Sequence, residues 1–286
     1  MTRLEAVANY HCKVGENPLW NEREGRLYWA DIETGRLFRA DHVGGKHECF
    51  YRSSDMIGGF SFQADESLLL FEVDRIGVLS KAGEYRALLQ GIDSNMVRFN
   101  DVIADPEGRV FAGTIGKNAE VGGLFRVELD GRVELLWRGT GCANGMGFTP
   151  DLQRFYWTDS TAQLIYVADY ERASGALSNR REFYRAPASE GIPDGLCVDR
   201  AGQVWSARWG GSTLLRHDAA GRVVERVTFP VTRVSSATFG GPELNVLYVT
   251  TAGGSGVEGE STPDGTLYRF AVDVPGTAPF RSRIRL

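Results

Sequence analysis

Histidine and cysteine are scarce in this chain, with four of each in 286 residues. The histidines, at 11, 42, 47 and 217, form no HExxH pair, which excludes the helical zinc-protease arrangement. The cysteines, at 12, 49, 142 and 197, form no CxxC. Their spacing suits neither a zinc cage nor a disulfide scaffold, and they read as small buried residues. No GxSxG elbow is present, so a serine hydrolase is not expected. Gly254-x-Gly256-x-x-Gly259 matches the dinucleotide pattern but runs into Glu260-Ser-Thr-Pro263 rather than a helix, so it fails the context that pattern needs. No apolar run approaches the roughly 18 residues of a membrane span. Met1 to Glu16 lacks a basic stretch followed by an apolar one, so a cytoplasmic location is expected. A net charge of −5 offers nothing to attract nucleic acid or anionic lipid, and neither is an expected partner.

Glycine, by contrast, is abundant: 35 of 286 residues, about 12%, against a usual value near 7%. Without a collagen period this points to many tight turns between short strands. Long helical periodicity is absent. Six segments rich in β-branched and aromatic residues follow turn signals: Arg26–Asp31, Ser67–Val73, Arg109–Thr114, Arg154–Asp159, Gln203–Arg208 and Val246–Thr251. Their anchors Tyr28, Leu69, Phe111, Tyr156, Trp205 and Tyr248 are 41, 42, 45, 49 and 43 residues apart. A second strand follows each anchor, as in Gly35–Asp41 and Gly123–Asp130. That period fits a four-stranded propeller blade. The predicted fold is all-β: a six-bladed β-propeller of antiparallel blades around a central channel, with residues 1–286 as one domain. A pair of β-sandwiches is the rival, but it does not explain the period. The alternating segment Thr2–Ala8 is expected to latch the ring by pairing with the last blade, with Phe280–Leu286 as the rival latch.

Stepping back about 10–12 residues from the anchors reaches the strand that lines the channel. This phase holds Glu16, Asn100, Asn144 and Asp194 in four blades, Gly58 and Gly59 in blade two, and Ser235 and Ser236 in blade six. Equivalent positions around a ring converge on its axis. Two carboxylates and two amides there form an oxygen-rich site, and like charges held close call for a cation. Oxygen ligands suit calcium, magnesium or manganese, and zinc and iron(II) also accept mixed sets. Read singly, Asn144-Gly145 and Asp194-Gly195 are also common turn pairs. Cys142 and Cys197 stand nearby, and strand alternation is expected to face them away. Arg208 and Trp209 are candidates for the channel mouth.

At Gly15-Glu16-Asn17-Pro18, Arg98-Phe99-Asn100-Asp101, Asn144-Gly145-Met146, Pro193-Asp194-Gly195 and Phe239-Gly240-Gly241, the chain resembles the gluconolactonase–regucalcin (senescence marker protein) family over essentially its whole length. The resemblance implies a divalent metal held by Glu16, Asn144 and Asp194, and substrate contacts from Asn100 and Arg98. It departs at Asn17, where the family often has Ser or Gly.

The expected activity is metal-dependent hydrolysis of a sugar lactone in carbohydrate catabolism. In this reading the ion polarises the carbonyl, Asp194 doubles as general base on water, and Arg98 and Asn100 hold substrate oxygens. The expected partner is a small sugar lactone, bound by a monomer or small homo-oligomer. Two alternatives stay open on the same residues: a phosphotriester hydrolase and a calcium-binding regulator without turnover.

Overall fold

Runs of β-branched and aromatic residues between Asp- and Gly-containing turns become strands throughout, and these strands pair with their chain neighbours. The computed structural model describes residues 3–43, 45–259 and 261–285. A short strand β1 (Glu5–Asn9) comes first. Blade one is β2 (Gly15–Asn21), β3 (Arg26–Asp31), β4 (Arg36–Asp41) and β5 (His47–Arg52). Blade two is β6 (Gly59–Phe62), β7 (Leu68–Phe71), β8 (Arg75–Leu79) and β9 (Tyr85–Gln90). Blade three is β10 (Met96–Ala104), β11 (Val110–Gly116), β12 (Gly123–Val127) and β13 (Val133–Arg138). Blade four is β14 (Ala143–Phe148), β15 (Arg154–Asp159), β16 (Leu164–Glu171) and β17 (Ala176–Arg185). Blade five is β18 (Ile192–Val198), β19 (Val204–Trp209), β20 (Thr213–His217) and β21 (Val223–Thr228). Blade six is β22 (Arg233–Gly240), β23 (Val246–Ala252), β24 (Thr266–Ala271) and β1.

The first strand of each blade packs beside the first strand of the next, and β22 returns to β2, so the ring is closed around a channel. All six anchors lie in the second strands. In blades three and five the chain reverses between first and second strands on Asp-x-x-Gly turns. Asp105 Oδ1 accepts the N–H groups of Glu107 and Arg109, both at 2.9 Å, and Gly108 holds φ 91°. Asp199 Oδ1 does the same for Ala201 and Gln203, also at 2.9 Å, with Gly202 at φ 76°. The cores lie between blades, where rings such as Phe111, Phe148, Phe155 and Tyr170 meet. Among the described residues no helix is long and apolar enough to cross a membrane.

The N-terminal strand is the latch. It pairs antiparallel with β24, with Ala6 opposite Tyr268 and Asn9 opposite Thr266. Ala8 is buried, and Leu4 and Val7 pack on the same core. The rival segment does something else. Arg200 N–H donates to Pro275 O at 2.8 Å in blade five, and Ser282 N–H donates to Phe62 O at 2.8 Å in blade two. Blades five and two face each other across the ring, so the chain between them spans the base of the channel. Deleting residues 1–8 strips β24 of its edge partner and removes the three apolar side chains Leu4, Val7 and Ala8 from the core. At roughly 1 kcal/mol for each lost hydrogen bond or small apolar side chain, the loss is about 3 kcal/mol, a fall in Tm of about 5–10 °C. Calorimetric melting that shows no shift contradicts the latch.

Candidate active site

The four channel-lining strands that carry the predicted polar residues are each irregular at that point. The pairing register shifts between Glu16 and Leu19, Phe99 and Val102, Asn144 and Met146, and Pro193 and Leu196. A β-bulge breaks strict alternation and re-aims side chains. These bulges leave Glu16, Asn144 and Asp194 buried near the start of their strands and Asn100 buried midway along β10. Gly145 and Gly195 therefore sit within strands, not turns.

Asn144 Nδ2 donates to Asp194 Oδ1, joining blade four to blade five. It also meets Ser160 Oγ at 3.2 Å, and that hydroxyl donates to Pro193 O at 2.7 Å. The amide of Asn100 donates to Ala143 O at 3.1 Å and accepts Arg98 Nη1 at 2.7 Å. Arg98 also donates to Phe99 O at 2.9 Å. Glu16 Oε2 accepts the N–H of Asn17 at 3.0 Å. The predicted residues thus fall into a carboxylate–amide pair (Asp194 with Asn144), an arginine–amide pair (Arg98 with Asn100), and Glu16 coupled to them electrostatically.

Burial raises Glu16 well above the usual carboxylate range, and the charges of Asp194 and then Asp101 push it the same way. Burial, then Asp101, raises Asp194 likewise. Asp101 is pushed up to about 7 by burial, against one opposing hydrogen bond from Val102 N–H. Burial lowers Arg98, which the carboxylates partly offset. Buried Glu16 and Asp194 and half-buried Asp101 thus crowd together beside the half-buried Arg98, with the charge of buried Arg208 also reaching Asp194. Such a set suits a divalent cation, and its donors, carboxylate and amide oxygens, suit a hard one. Among the described residues no three His, Cys, Asp or Glu converge tightly enough to hold a metal alone. The fit therefore depends on Asn144, whose Oδ1 now accepts Gly145 N–H at 3.1 Å and would have to turn toward the cluster.

Several neighbours escaped the sequence reading. Asp101 was hidden by alternation: it follows Asn100 and should face away, but the bulge after Phe99 brings its charge to Glu16 and Asp194. Asn17 holds φ 48°, a left-handed conformation that Gly and Asn adopt more readily than most residues, and its Oδ1 accepts Phe60 N–H to tie blade one to blade two. Cys142, expected to face away, lies beside the site with its sulfur 3.7 Å from Asn100 Nδ2. Arg208 does not reach the channel mouth. It is fully buried, bonded to Ser206 Oγ and to His217 Nε2 at 3.1 Å. Trp209 is half-buried under the Arg233 guanidinium, 5.2 Å from its ring centre.

The family model described as SMP-30/gluconolactonase/LRE-like region matches residues 14–253, a span that holds every one of these side chains. The chain belongs to that family. It is 46% identical over 288 residues to pentonolactonase XacC of Haloferax volcanii, covering 98% of each chain. It is 30% identical over 260 residues to regucalcin of Xenopus laevis, covering 87% of each. Among solved structures, a calcium-binding regucalcin from Agrobacterium tumefaciens superposes with a TM-score of 0.89 at 22% identity, covering 100% of this chain and 98% of that one. The resemblance read from five motifs is borne out, and so is the propeller.

Proposed function

We propose that this chain is a lactonase that opens a sugar lactone to its aldonic acid, as one catalytic domain, with the axial cluster as its active site. The observation that carries the reading is the convergence of buried Glu16, Asn100, Asn144 and Asp194 from four blades, in a chain 46% identical to a named pentonolactonase. Glu16, Asn144 and Asp194 would hold one divalent ion, of calcium, zinc, manganese, magnesium or iron(II). When bound, that ion supplies the Lewis acid that polarises a lactone carbonyl. Asp194, beside the ion it would help to hold, takes the proton from the attacking water. Arg98 holds the oxygens of the lactone, and Asn100, bonded to its Nη1, contributes its amide to the same wall and fixes the guanidinium in place.

Such a wall rewards hydroxyls. A buried polar group left unpaired costs about 1–3 kcal/mol, so each hydroxyl missing from the substrate should lower kcat/KM by roughly one to two decades. A pentonolactone or hexonolactone is therefore expected to outrun a long-chain acyl-homoserine lactone by about 10²-fold or more at saturating metal, read by acid release. Preference for the acyl lactone would overturn the sugar assignment.

A further inference from the structure

Below the carboxylate cluster the channel widens into a chamber of about 360 Å³. Its walls come from residues that follow the site on their strands, among them Phe60, Met146, Leu196, Val198 and Phe239. Its floor is the crossing segment, through residues Thr277 to Phe280. Its polar lining is Asp101, Asn17, Ser61 and Ser236 at the roof, on the side of the cluster, and Thr149, Thr238 and Thr277 farther down. The Asp101 carboxylate accepts one backbone N–H, from Val102 at 2.8 Å, which leaves most of its acceptor capacity for another donor.

Water alone fits this space poorly. At about 30 Å³ each, roughly a dozen waters would fill it, and those along the apolar walls would find partners only in one another. The roof supplies polar partners, whereas the walls below are largely hydrocarbon and aromatic. A space of this size sits at the lower end of the range of small-molecule pockets, which are mostly apolar with a few placed polar groups. The chamber also lies on the far side of the cluster from the strand ends where Glu16, Asn144 and Asp194 begin their blades, so it is not the place of the lactone.

We propose that the chamber binds a compact apolar molecule carrying one hydrogen-bond-donating head group, with the head on Asp101 and the body against Phe60, Met146, Leu196, Val198 and Phe239. The contact is independent of the reaction proposed for the cluster and survives if the chain opens a different ester.

The test uses the full chain loaded with calcium and three probes of one shape: benzyl alcohol, benzylamine and toluene. Calorimetric titration should show the two donors binding at least tenfold more tightly than toluene. In Asp101→Leu that preference should shrink to within twofold while toluene binding persists. Crystals soaked with 4-bromobenzyl alcohol should place the bromine in the chamber by its anomalous signal, a readout that needs no variant to fold. Failure of all three probes to bind, bromine located elsewhere, or toluene binding as tightly as the donors would each overturn the proposal.

Discussion

Replacing Asp194 with alanine is expected to lower kcat/KM for a pentonolactone by about 10³-fold or more, roughly 4 kcal/mol of transition-state stabilisation, and to abolish divalent-ion binding measured by calorimetric titration. The side chain combines two roles that no neighbour duplicates: an anionic oxygen ligand and a base beside the attacking water. Its removal also relieves the metal-free fold. Glu16 and Asp101 lose a buried like charge, and among the described residues the direct partner left wanting is Asn144 Nδ2, which keeps Ser160 Oγ at 3.2 Å. Metal-free Asp194→Ala should therefore melt no lower than the metal-free parent, although it can no longer be stabilised by adding the ion. That pairing of dead catalysis with undiminished apo stability separates a lost site from a lost fold. Normal turnover in the variant would remove Asp194 from both roles.

The blade architecture was readable because one strand in each repeat must pack on both faces. Tyr28, Phe111, Tyr156, Trp205 and Tyr248 are buried between blades, so their residue types are constrained and recur every forty-odd positions. The channel strands carry no such signature: Gly-Glu-Asn-Pro and Ala-Asn-Gly-Met do not read as strands, and they were located only by counting back from their partners. Counting found the residues but assumed perfect alternation. The bulge after Phe99 breaks that assumption, which is why Asp101 joined the cluster unannounced, while Cys142, just ahead of β14, lies beside Asn100 rather than facing away. The two candidate latches both alternate weakly, so pattern alone could not rank them; tertiary pairing put one on β24 and laid the other across the base. Arg208 misled for a related reason. A charged residue next to a tryptophan and two glycines suggests a rim, yet this one is fully buried against the Tyr184 ring and His217.

Gly145→Ala is the sharper test of how the fold makes the site, because it alters no reacting atom. Gly145 lies in β14 where that strand meets β18, and a Cβ placed there would fall 2.2 Å from Leu196 N, 2.5 Å from Gly195 C and 2.7 Å from Asp194 O. All three are backbone atoms, so no side chain can swing aside, and the two channel strands must separate. Its φ is not among the positive ones, so alanine meets no conformational penalty of its own and the effect is steric. Overpacking of this kind costs about 1–3 kcal/mol, a fall in Tm of several degrees. The displaced residues are the neighbours on either side of the contact: Asn144 on one strand and Asp194 on the other. A misplacement near 1 Å can cost about 10²-fold in rate, so kcat/KM should fall by roughly that factor, and the ion should bind more weakly because its ligands come from both strands. Gly25→Ala supplies the control: that glycine has φ 64° and nothing within 4 Å of a built Cβ, so it should lose about 1 kcal/mol of stability to backbone strain and leave kcat/KM unchanged. Wild-type kinetics in Gly145→Ala would show that the close approach of β14 and β18 is dispensable, and that the amide and the carboxylate are held together by something other than the glycine between them.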